Sequence, residues 1–177
     1  MRAVSGAERI TFILGGARSG KSRYAESLIA NEPPPWIYLA TAEALDQEMA
    51  QRIAAHKARR DGRWRTIEAP RDLAGALAGV PGGAAVLIDC VTLWLSNLLL
   101  ADAEIKGEFV RLDDALTQIT GAAVIVANEV GCGIVPDNAL GRRFRDLHGW
   151  LNQQLAARAD RVVLVVAGLP LFVKGHP

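Results

Sequence analysis

Residues 15–22 read Gly-Gly-Ala-Arg-Ser-Gly-Lys-Ser and match the phosphate-loop pattern, in which four residues separate a glycine from Gly-Lys-Ser/Thr. Gly15 and Gly20 allow a close backbone approach to an anion that a Cβ would hinder. Lys21 would reach the terminal phosphates as a point charge, and the Ser22 hydroxyl would bind Mg²⁺. A chance glycine turn is the alternative, but a β-type run before the segment and a helical pattern after it favour the phosphate loop. The segment therefore predicts a nucleoside triphosphate site.

Asp89 is a second candidate for chemistry on a triphosphate. It ends the apolar run Ala85 to Asp89, which is typical of a buried parallel strand. In phosphate-loop proteins an acid at the end of such a strand holds Mg²⁺ directly or through water. An aspartate here could instead cap a helix that starts near Thr92. The phosphate loop favours the metal or nucleotide role.

His56 is a candidate for group transfer. Helical spacing places it on one face with Met49 and Ile53, which is also the pattern of an ordinary half-buried histidine. Neighbouring cations would disfavour the imidazolium and attract phosphates. A neutral ring beside phosphates can act as a general base or as a covalent nucleophile, and the residues alone leave both open. Three arginines lie within about one helical turn of it: Arg52, Arg59 and Arg60.

Other charged side chains lie where strands or helices are predicted to begin or end. Glu68 and Glu129 each follow a predicted strand, so each could bind Mg²⁺ or a hydroxyl, or be a solvated loop charge. Three arginines at the start of a long helix favour a charged outer face, with substrate or subunit contact as the alternative: Arg142, Arg143 and Arg145.

Alternating strand and helix patterns would position these side chains. The alternation predicts an α/β fold with a mainly parallel sheet, helices on both faces, and ligands at the carboxyl ends of the strands. The length of 177 residues predicts a single domain, 1–177, with 1–8 as a short N-terminal extension. The apolar runs predict strands at 9–14, 36–40, 65–67, 85–89, 123–127 and 161–167. The helical patterns lie at 21–30, 45–60, 72–78 with Asp72 as a cap, 92–100, 108–120 and 138–158.

The composition excludes several classes of function. A formal net charge of +1 gives no basic field for nucleic acid. Cys90 and Cys132 form neither a CxxC pair nor a disulfide framework, so both are expected to be small buried residues in a reducing compartment. His148 and His176 lack neighbouring ligands, so no zinc site is expected. No signal peptide is apparent, and the most apolar segment, 91–101, is shorter than the roughly 20 residues of a membrane helix. A cytoplasmic protein is expected.

The sequence resembles one family over nearly its whole length: the bifunctional adenosylcobinamide kinase/adenosylcobinamide-phosphate guanylyltransferase of cobalamin biosynthesis. The phosphate loop alone would be unspecific, but the segments around His56 and after Asn128 together make the resemblance strong. The matching motifs are Gly-Gly-Ala-Arg-Ser-Gly-Lys-Ser-Arg at 15–23, Tyr-Leu-Ala-Thr-Ala at 38–42, the segment 46–56 ending in His56, Trp64 with Glu68, the segment 89–98, the segment 128–136, Phe-Arg-Asp at 144–146, Gly149, Asn152 with Gln153, and Gly168 with Pro170 before Lys174.

The resemblance implies two reactions. A kinase step phosphorylates the aminopropanol hydroxyl of adenosylcobinamide with ATP or GTP. A guanylyltransferase step transfers GMP from GTP to that phosphate, which releases pyrophosphate and gives adenosylcobinamide-GDP. In the family a histidine carries GMP covalently, and His56 is the matching position here.

The resemblance also implies a RecA-like phosphate-loop fold, Mg²⁺ as cofactor, held through Ser22 and Asp89, and a homo-oligomer, with trimers as the expected form. The catalytic residues would be His56 and Lys21. The residues expected around the nucleotide are Gly15, Gly16, Ala17, Arg18, Ser19, Gly20, Lys21, Ser22, Ala40, Thr41, Ala42, Lys57, Arg59, Glu68 and Asp89.

Two other functions compete with this one. A single-activity small-molecule kinase would use the same phosphate loop, with His56 as a structural or phosphate-contacting residue, and would form no covalent GMP. A nucleotide-dependent switch would hydrolyse nucleotide without any corrinoid and would bind a partner. The short chain leaves little room for a partner domain, which counts against the switch.

Overall fold

The computed structural model describes residues 9–44 and 46–176, with the side chain of Arg52 outside that description. The predicted N-terminal extension, 1–8, and the first residue of the predicted helix 45–60, Leu45, therefore lie outside the described residues. So does the contact expected between Arg52 and His56.

In the described part of the chain, seven strands form one sheet in the order β3-β2-β4-β5-β1-β6-β7. The first six pair in parallel, and β7 pairs antiparallel with β6. This confirms the mainly parallel sheet, and the order brings the ends of β1, β4 and β5 side by side. The strands are β1 (Ile10–Gly15), β2 (Trp36–Ala40), β3 (Trp64–Glu68), β4 (Ala85–Asp89), β5 (Ala123–Asn128), β6 (Arg161–Val166) and β7 (Leu169–Lys174).

Six helices connect these strands within the described residues. Four of them begin with a side-chain cap; for example, the Asp72 side chain accepts the Gly75 N–H, and the Asn138 side chain accepts the Gly141 N–H. Asp72 was predicted as a cap, and the structure confirms it. The helices are α1 (Lys21–Ile29), α2 (Gln47–Ala58), α3 (Leu73–Ala78), α4 (Val91–Leu100), α5 (Ile105–Thr117) and α6 (Ala139–Arg158).

The sheet is covered on both faces because its strand residues alternate between two apolar clusters. Phe12 packs with residues of α3, α4, α5 and α6, whereas its neighbour Ile13 packs with Ala25 and Ile29 of α1. Leu87 belongs to the second cluster, as Ile13 does. Strands buried on both faces read as continuous apolar runs, which is why the central strands were predictable.

Four details differ from the sequence prediction. The strand β7 was not predicted. The helix α5 begins at Ile105, earlier than expected, because the Glu104 side chain accepts the N–H groups of Lys106 and Gly107. Leu140, an apolar residue in the first turn of the helix predicted at 138–158, is exposed rather than packed in the core. Cys132, expected to be buried, is exposed in the loop after β5.

Candidate active site

The phosphate loop lies between β1 and α1, as the motif predicted. Gly20 has a φ of +96°, in the left-handed region, and a Cβ there would lie 3.2 Å from the Gly168 Cα, so glycine suits this position for two reasons. The Gly168 N–H donates to the Ser19 carbonyl at 2.8 Å. The Lys21 ammonium donates to the Gly16 carbonyl at 2.9 Å, and Lys21 is buried. The loop is therefore closed, with its lysine folded against it.

Asp89 is the last residue of β4, and its carboxylate accepts a hydrogen bond from the Tyr38 phenol. The Tyr38 hydroxyl donates to Asp89 Oδ2 at 3.0 Å, and the Arg60 guanidinium lies 3.5 Å from the centre of the Tyr38 ring. Burial, reinforced by the Asp89 carboxylate, raises the pKa of Tyr38, so the phenol keeps its proton and donates it. The helix-cap alternative for Asp89 is wrong, because the residue at the cap position of α4 is Cys90 and makes no side-chain cap bond.

His56 faces Asp89 across this corner. His56 Nδ1 lies 4.0 Å from Asp89 Oδ2 and 3.0 Å from Arg59 Nη2. The same Arg59 Nη2 lies 3.5 Å from Glu26 Oε1. Burial raises the pKa of Glu26, although the Arg59 charge opposes that shift. The imidazole therefore lies near a cation and a carboxylate, and the same nitrogen of the cation also lies near a second carboxylate.

One cavity joins these groups. It brings together the lysine of the loop, His56 and the acids at the ends of two strands, and residues from seven helices and strands line it at the carboxyl edge of the sheet. That edge is where the parallel sheet was expected to bind ligands. The lining residues are Lys21, Ser22, Tyr38, Ala40, Ala42, Met49, Ile53, His56, Lys57, Arg60, Glu68, Asp89, Cys90, Leu93 and Asn128.

A wider and more basic recess adjoins the cavity and shares Lys21, Ser22 and His56 with it. Its wall carries exposed guanidinium groups that suit a chain of phosphates. Of the predicted residues, Arg18, Ser19, Gly20 and Arg59 line this recess.

A third recess borders Glu68, the last residue of β3. Lys57 Nζ contacts Glu68 Oε1 at 2.8 Å, and both side chains are about half exposed. The Trp64 ring packs edge-on against Tyr38, with 6.1 Å between ring centres. A planar ring, a carboxylate and two cations thus surround a shallow space, which is lined by Lys57, Arg60, Asp61, Trp64, Thr66 and Glu68.

Some predicted residues lie apart from these spaces. Gly15, Gly16 and Ala17 do not line the cavity or the basic recess. Thr41 is fully buried; its hydroxyl donates to the Cys90 carbonyl at 2.7 Å and accepts the Cys90 N–H at 2.8 Å. Its side chain thus fixes the backbone beside Asp89.

Glu129 lies outside the cavity and the basic recess as well. Its N–H donates to the Gly15 carbonyl at 3.0 Å, and its side chain accepts the N–H of Gly131.

The two cysteines differ in exposure: Cys90 is buried beside the cavity, whereas Cys132 is exposed. Burial raises the pKa of the Cys90 thiol to about 11, which fits the predicted inert residue. Sequence reasoning gave Tyr38 and Asn128 no role at the site, although both line the cavity; Arg60, expected as a cation near His56, lines it as well. For Asn128, the last residue of β5, the available signal was its position at a strand end, whereas Tyr38 lies in the middle of β2 and reaches the site only through its contact with Asp89.

The oxygen donors at the site suit a magnesium ion. Ser22 and Asp89 line the same cavity and present a hydroxyl and a carboxylate, which are hard ligands of the kind Mg²⁺ prefers. Within 9–44 and 46–176, no three His, Cys, Asp or Glu side chains cluster closely enough to hold a metal by themselves. Such a site fits an ion that takes its remaining ligands from phosphates and water.

Comparison with known proteins gives a family match over most of the chain. The model of the family described as cobinamide kinase / cobinamide phosphate guanyltransferase matches residues 11–173. The bifunctional adenosylcobalamin biosynthesis protein CobP of Pseudomonas aeruginosa is 49% identical over 168 residues, covering 93% of this chain and 97% of that protein. The protein CobU of Salmonella typhimurium, with the same descriptive name, is 43% identical over 178 residues, covering 92% and 98%.

Solved structures show the same fold at low sequence identity. The assembled ATPase EscN of an enteropathogenic E. coli type III secretion system aligns with a TM-score of 0.57 at 12% identity, over 90% of this chain and 43% of that one. A Pyrococcus horikoshii protein, from a structural study of PH0250, aligns with a TM-score of 0.55 at 10% identity, over 96% and 88%. The chain thus has the architecture of phosphate-loop ATPases.

Proposed function

The chain belongs to the cobinamide kinase / cobinamide phosphate guanyltransferase family, and we propose that a single nucleotide site serves both of its reactions. The enzyme phosphorylates adenosylcobinamide with ATP or GTP and then transfers GMP from GTP to that phosphate. The products of the second step are adenosylcobinamide-GDP and pyrophosphate. The observation that carries the single site is the cavity that contains Lys21, Asp89 and His56 together.

The guanylyl step proceeds through a GMP–histidine intermediate. A ring nitrogen of His56 attacks the α-phosphorus of GTP, and the bond from that phosphorus to the bridging oxygen of pyrophosphate breaks. The phosphate on cobinamide then attacks the same phosphorus and displaces the imidazole. Support comes from the position of His56, which lines both the cavity and the basic recess with Lys21 and Ser22.

Charged groups near His56 would favour the attack of its imidazole on the α-phosphorus. Asp89 Oδ2, at 4.0 Å from Nδ1, would stabilise positive charge on the ring as the P–N bond forms. Arg59, at 3.0 Å from Nδ1, disfavours the imidazolium before attack and is placed to meet the phosphates. The Tyr38 phenol, with its raised pKa, keeps the Asp89 carboxylate oriented.

The phosphate loop serves both reactions by holding the triphosphate. Lys21 and the loop N–H groups bind the phosphates and neutralise the leaving group. Ser22 and Asp89 would hold Mg²⁺, which supplies further neutralisation of phosphate charge when bound. In the kinase step the cobinamide hydroxyl attacks the γ-phosphorus, and ADP or GDP leaves.

Guanine would lie in the recess beside Glu68. A carboxylate accepts hydrogen bonds from the N1–H and the exocyclic amine of guanine, whereas adenine offers no matching pair of donors on that edge. The Trp64 ring and the Arg60 guanidinium offer flat surfaces for a base. This placement accounts for GTP as the donor of the nucleotidyl group.

We further propose a homo-oligomer, with the trimer as the expected form, located in the cytoplasm and acting as a single domain over 1–177. Strand β7 supports the oligomer because it is an edge strand whose apolar side chains Leu169, Leu171 and Val173 are exposed. Among the described residues, no helix has both the length and the apolarity needed to cross a bilayer.

Assays of both products on wild type and His56→Ala test this function. With ATP, Mg²⁺ and adenosylcobinamide, both proteins should form adenosylcobinamide phosphate, because phosphoryl transfer uses the phosphate loop. With GTP and the purified phosphate, only the wild type should form adenosylcobinamide-GDP. A wild type that phosphorylates but never transfers GMP would instead establish a single-activity kinase. Turnover independent of any corrinoid would point to a switch.

A further inference from the structure

A buried histidine outside the cavity lies behind one of its walls. His148, on α6, is 1% exposed, and its Nε2 lies 2.9 Å from the Thr92 hydroxyl on α4. Its Nδ1 lies 3.2 Å from the side-chain nitrogen of Asn152, one turn further along α6. The Thr92 hydroxyl also accepts the backbone N–H of Asn128 at 2.7 Å. These contacts form a hydrogen-bond network that runs from α6 through α4 to the end of β5.

This hydrogen-bond network depends on the polar atoms of its side chains, not only on how they fill the core. Thr92 is 5% exposed, so its hydroxyl finds partners only within the protein. The Asn152 side-chain nitrogen can only donate, so Nδ1 of His148 accepts; a ring with an accepting nitrogen is a neutral imidazole, whose Nε2–H then donates to the Thr92 hydroxyl. Burial lowers the pKa of His148, and only the Glu129 charge opposes that shift among its charged neighbours. The ring thus stays neutral and holds the Thr92 hydroxyl in one orientation.

The hydrogen-bond network ends at Asn128, which is part of the proposed nucleotide site. Asn128 is the last residue of β5, pairs in register with Gly15, and lines the cavity with Lys21 and Asp89. The next N–H, that of Glu129, donates to the Gly15 carbonyl at 3.0 Å. Two successive backbone N–H groups therefore fix this strand end, one to the phosphate loop and one to Thr92.

We propose that His148 is a positioning residue for this site: by holding Thr92, it fixes the backbone of Asn128 at the wall of the cavity that His56 also lines. The proposal rests on the function assigned above, because it concerns the wall of that site. His148 touches neither nucleotide nor corrinoid in this account and acts only through Thr92. Its effect should therefore appear in turnover rather than in nucleotide binding, since the bonds from Gly168 to Ser19 and from Lys21 to Gly16 in the phosphate loop do not involve Thr92 or His148.

Three variants separate this role from simple packing. His148→Leu introduces an apolar side chain of similar size and removes both ring nitrogens. His148→Gln keeps an amide that can bond to Thr92 as Nε2 does. Thr92→Val removes the hydroxyl and keeps the shape. Leu155→Ala, at a buried apolar position on the same helix, serves as the matched control because it removes packing and leaves the hydrogen-bond network intact.

Hydrogen exchange of the Asn128 and Glu129 amides reads the proposed effect directly. Exchange at these amides should be at least about tenfold faster in His148→Leu and Thr92→Val than in the wild type. Leu155→Ala should leave exchange there no faster than at other strand ends. Exchange at wild-type rates in His148→Leu would overturn the proposal, as would a response to Thr92→Val alone.

Steady-state kinetics give the second readout. His148→Leu and Thr92→Val should each lower kcat at least about tenfold, since small displacements at a reacting site are costly, with the KM for GTP within twofold. His148→Gln should restore most of kcat. Leu155→Ala should lose thermal stability but keep wild-type kcat. Equal kcat in His148→Leu and the wild type would reduce His148 to a packing residue.

The two readouts keep this proposal distinct from the function on which it rests. If the wild type neither phosphorylates cobinamide nor transfers GMP, the proposed function fails, and hydrogen exchange alone decides whether His148 holds the strand end. If the wild type is active and exchange is unchanged in His148→Leu, the function stands and the positioning role fails.

Discussion

The two walls of the cavity are held in different ways. On the wall formed by the phosphate loop, backbone bonds link Gly168 to Ser19 and Glu129 to Gly15, and Lys21 is buried. On the wall formed by α2, the described contacts are polar and partly exposed: Lys57 and Glu68, which form an ion pair, are each about half exposed. Exposed ion pairs contribute only about 0–1 kcal/mol. One wall is thus preformed for phosphates, whereas the other is held weakly.

The same contrast separates two histidines. The His56 side chain is 26% exposed and faces an arginine and a carboxylate, which is a setting for chemistry. His148 is 1% exposed and faces neutral hydrogen-bonding groups, which is a setting for structure. In the proposed function, the surroundings of each histidine, rather than its residue type, determine whether it transfers a group or holds one in place.

The strongest test of the preformed wall is Lys21→Ala. Because both reactions need the triphosphate neutralised at one place, kcat/KM should fall at least about a thousandfold for phosphorylation and for GMP transfer alike. His56→Ala should affect only GMP transfer. Parallel assays of the two reactions measure the split, and thermal unfolding checks that both variants fold. Loss of only one reaction in Lys21→Ala would mean that the two reactions use different nucleotide sites.

A smaller effect is expected at the weakly held wall. Glu68→Gln should lower kcat/KM for GTP about 10- to 100-fold, because an amide matches the guanine edge less well than a carboxylate. ATP-dependent phosphorylation serves as the internal control and should change less than about threefold. The melting temperature should stay near that of the wild type, since the Lys57–Glu68 pair is exposed. An equal loss with both nucleotides would place guanine elsewhere.

The smallest effect concerns stability and pH at His148. Its pKa is lowered by burial in the folded state, so the unfolded chain binds the proton more readily. The stability that the neutral ring contributes is complete above the unfolded pKa, about 6.5, and is lost as the pH falls below it. From pH 7.5 to 5.5 the free energy of unfolding should fall by up to about 1.4 kcal/mol more in the wild type than in His148→Gln.

Urea unfolding of both proteins at the two pH values measures this difference. Other titrating groups are common to both proteins, so their contributions cancel in the comparison. Identical pH dependence in the two proteins would show that His148 has an ordinary pKa in the folded state.

Much of the fold was predictable from local patterns. The buried runs of β2 and β4 had the predicted bounds because parallel strands covered on both faces are continuously apolar. Strand β7 was missed because Pro170 argues against a strand and because its apolar side chains face outward rather than into the core. Its turn needs positive φ at Ala167 and Gly168, and alanine gives no signal for that conformation.

The candidate site was predictable where its residues belong to motifs. The phosphate loop is recognisable by its spacing, Asp89 by its place at the end of an apolar strand and His56 by the family resemblance, and the structure brings Lys21, His56 and Asp89 to one cavity. The contact of Thr92 with His148 spans 56 residues of sequence, and that of Tyr38 with Asp89 spans 51. No local pattern encodes such pairs, because they form only when distant elements pack together.

The central claim is that His56 carries GMP. The most direct measurement is the intact mass of the wild type and of His56→Ala after incubation with GTP and Mg²⁺, followed by treatment of any adduct with acid and with base. We expect a gain of one GMP in the wild type only, lost in acid and retained in base, as a P–N bond requires. An adduct on His56→Ala, or one stable to acid and labile to base, would contradict it.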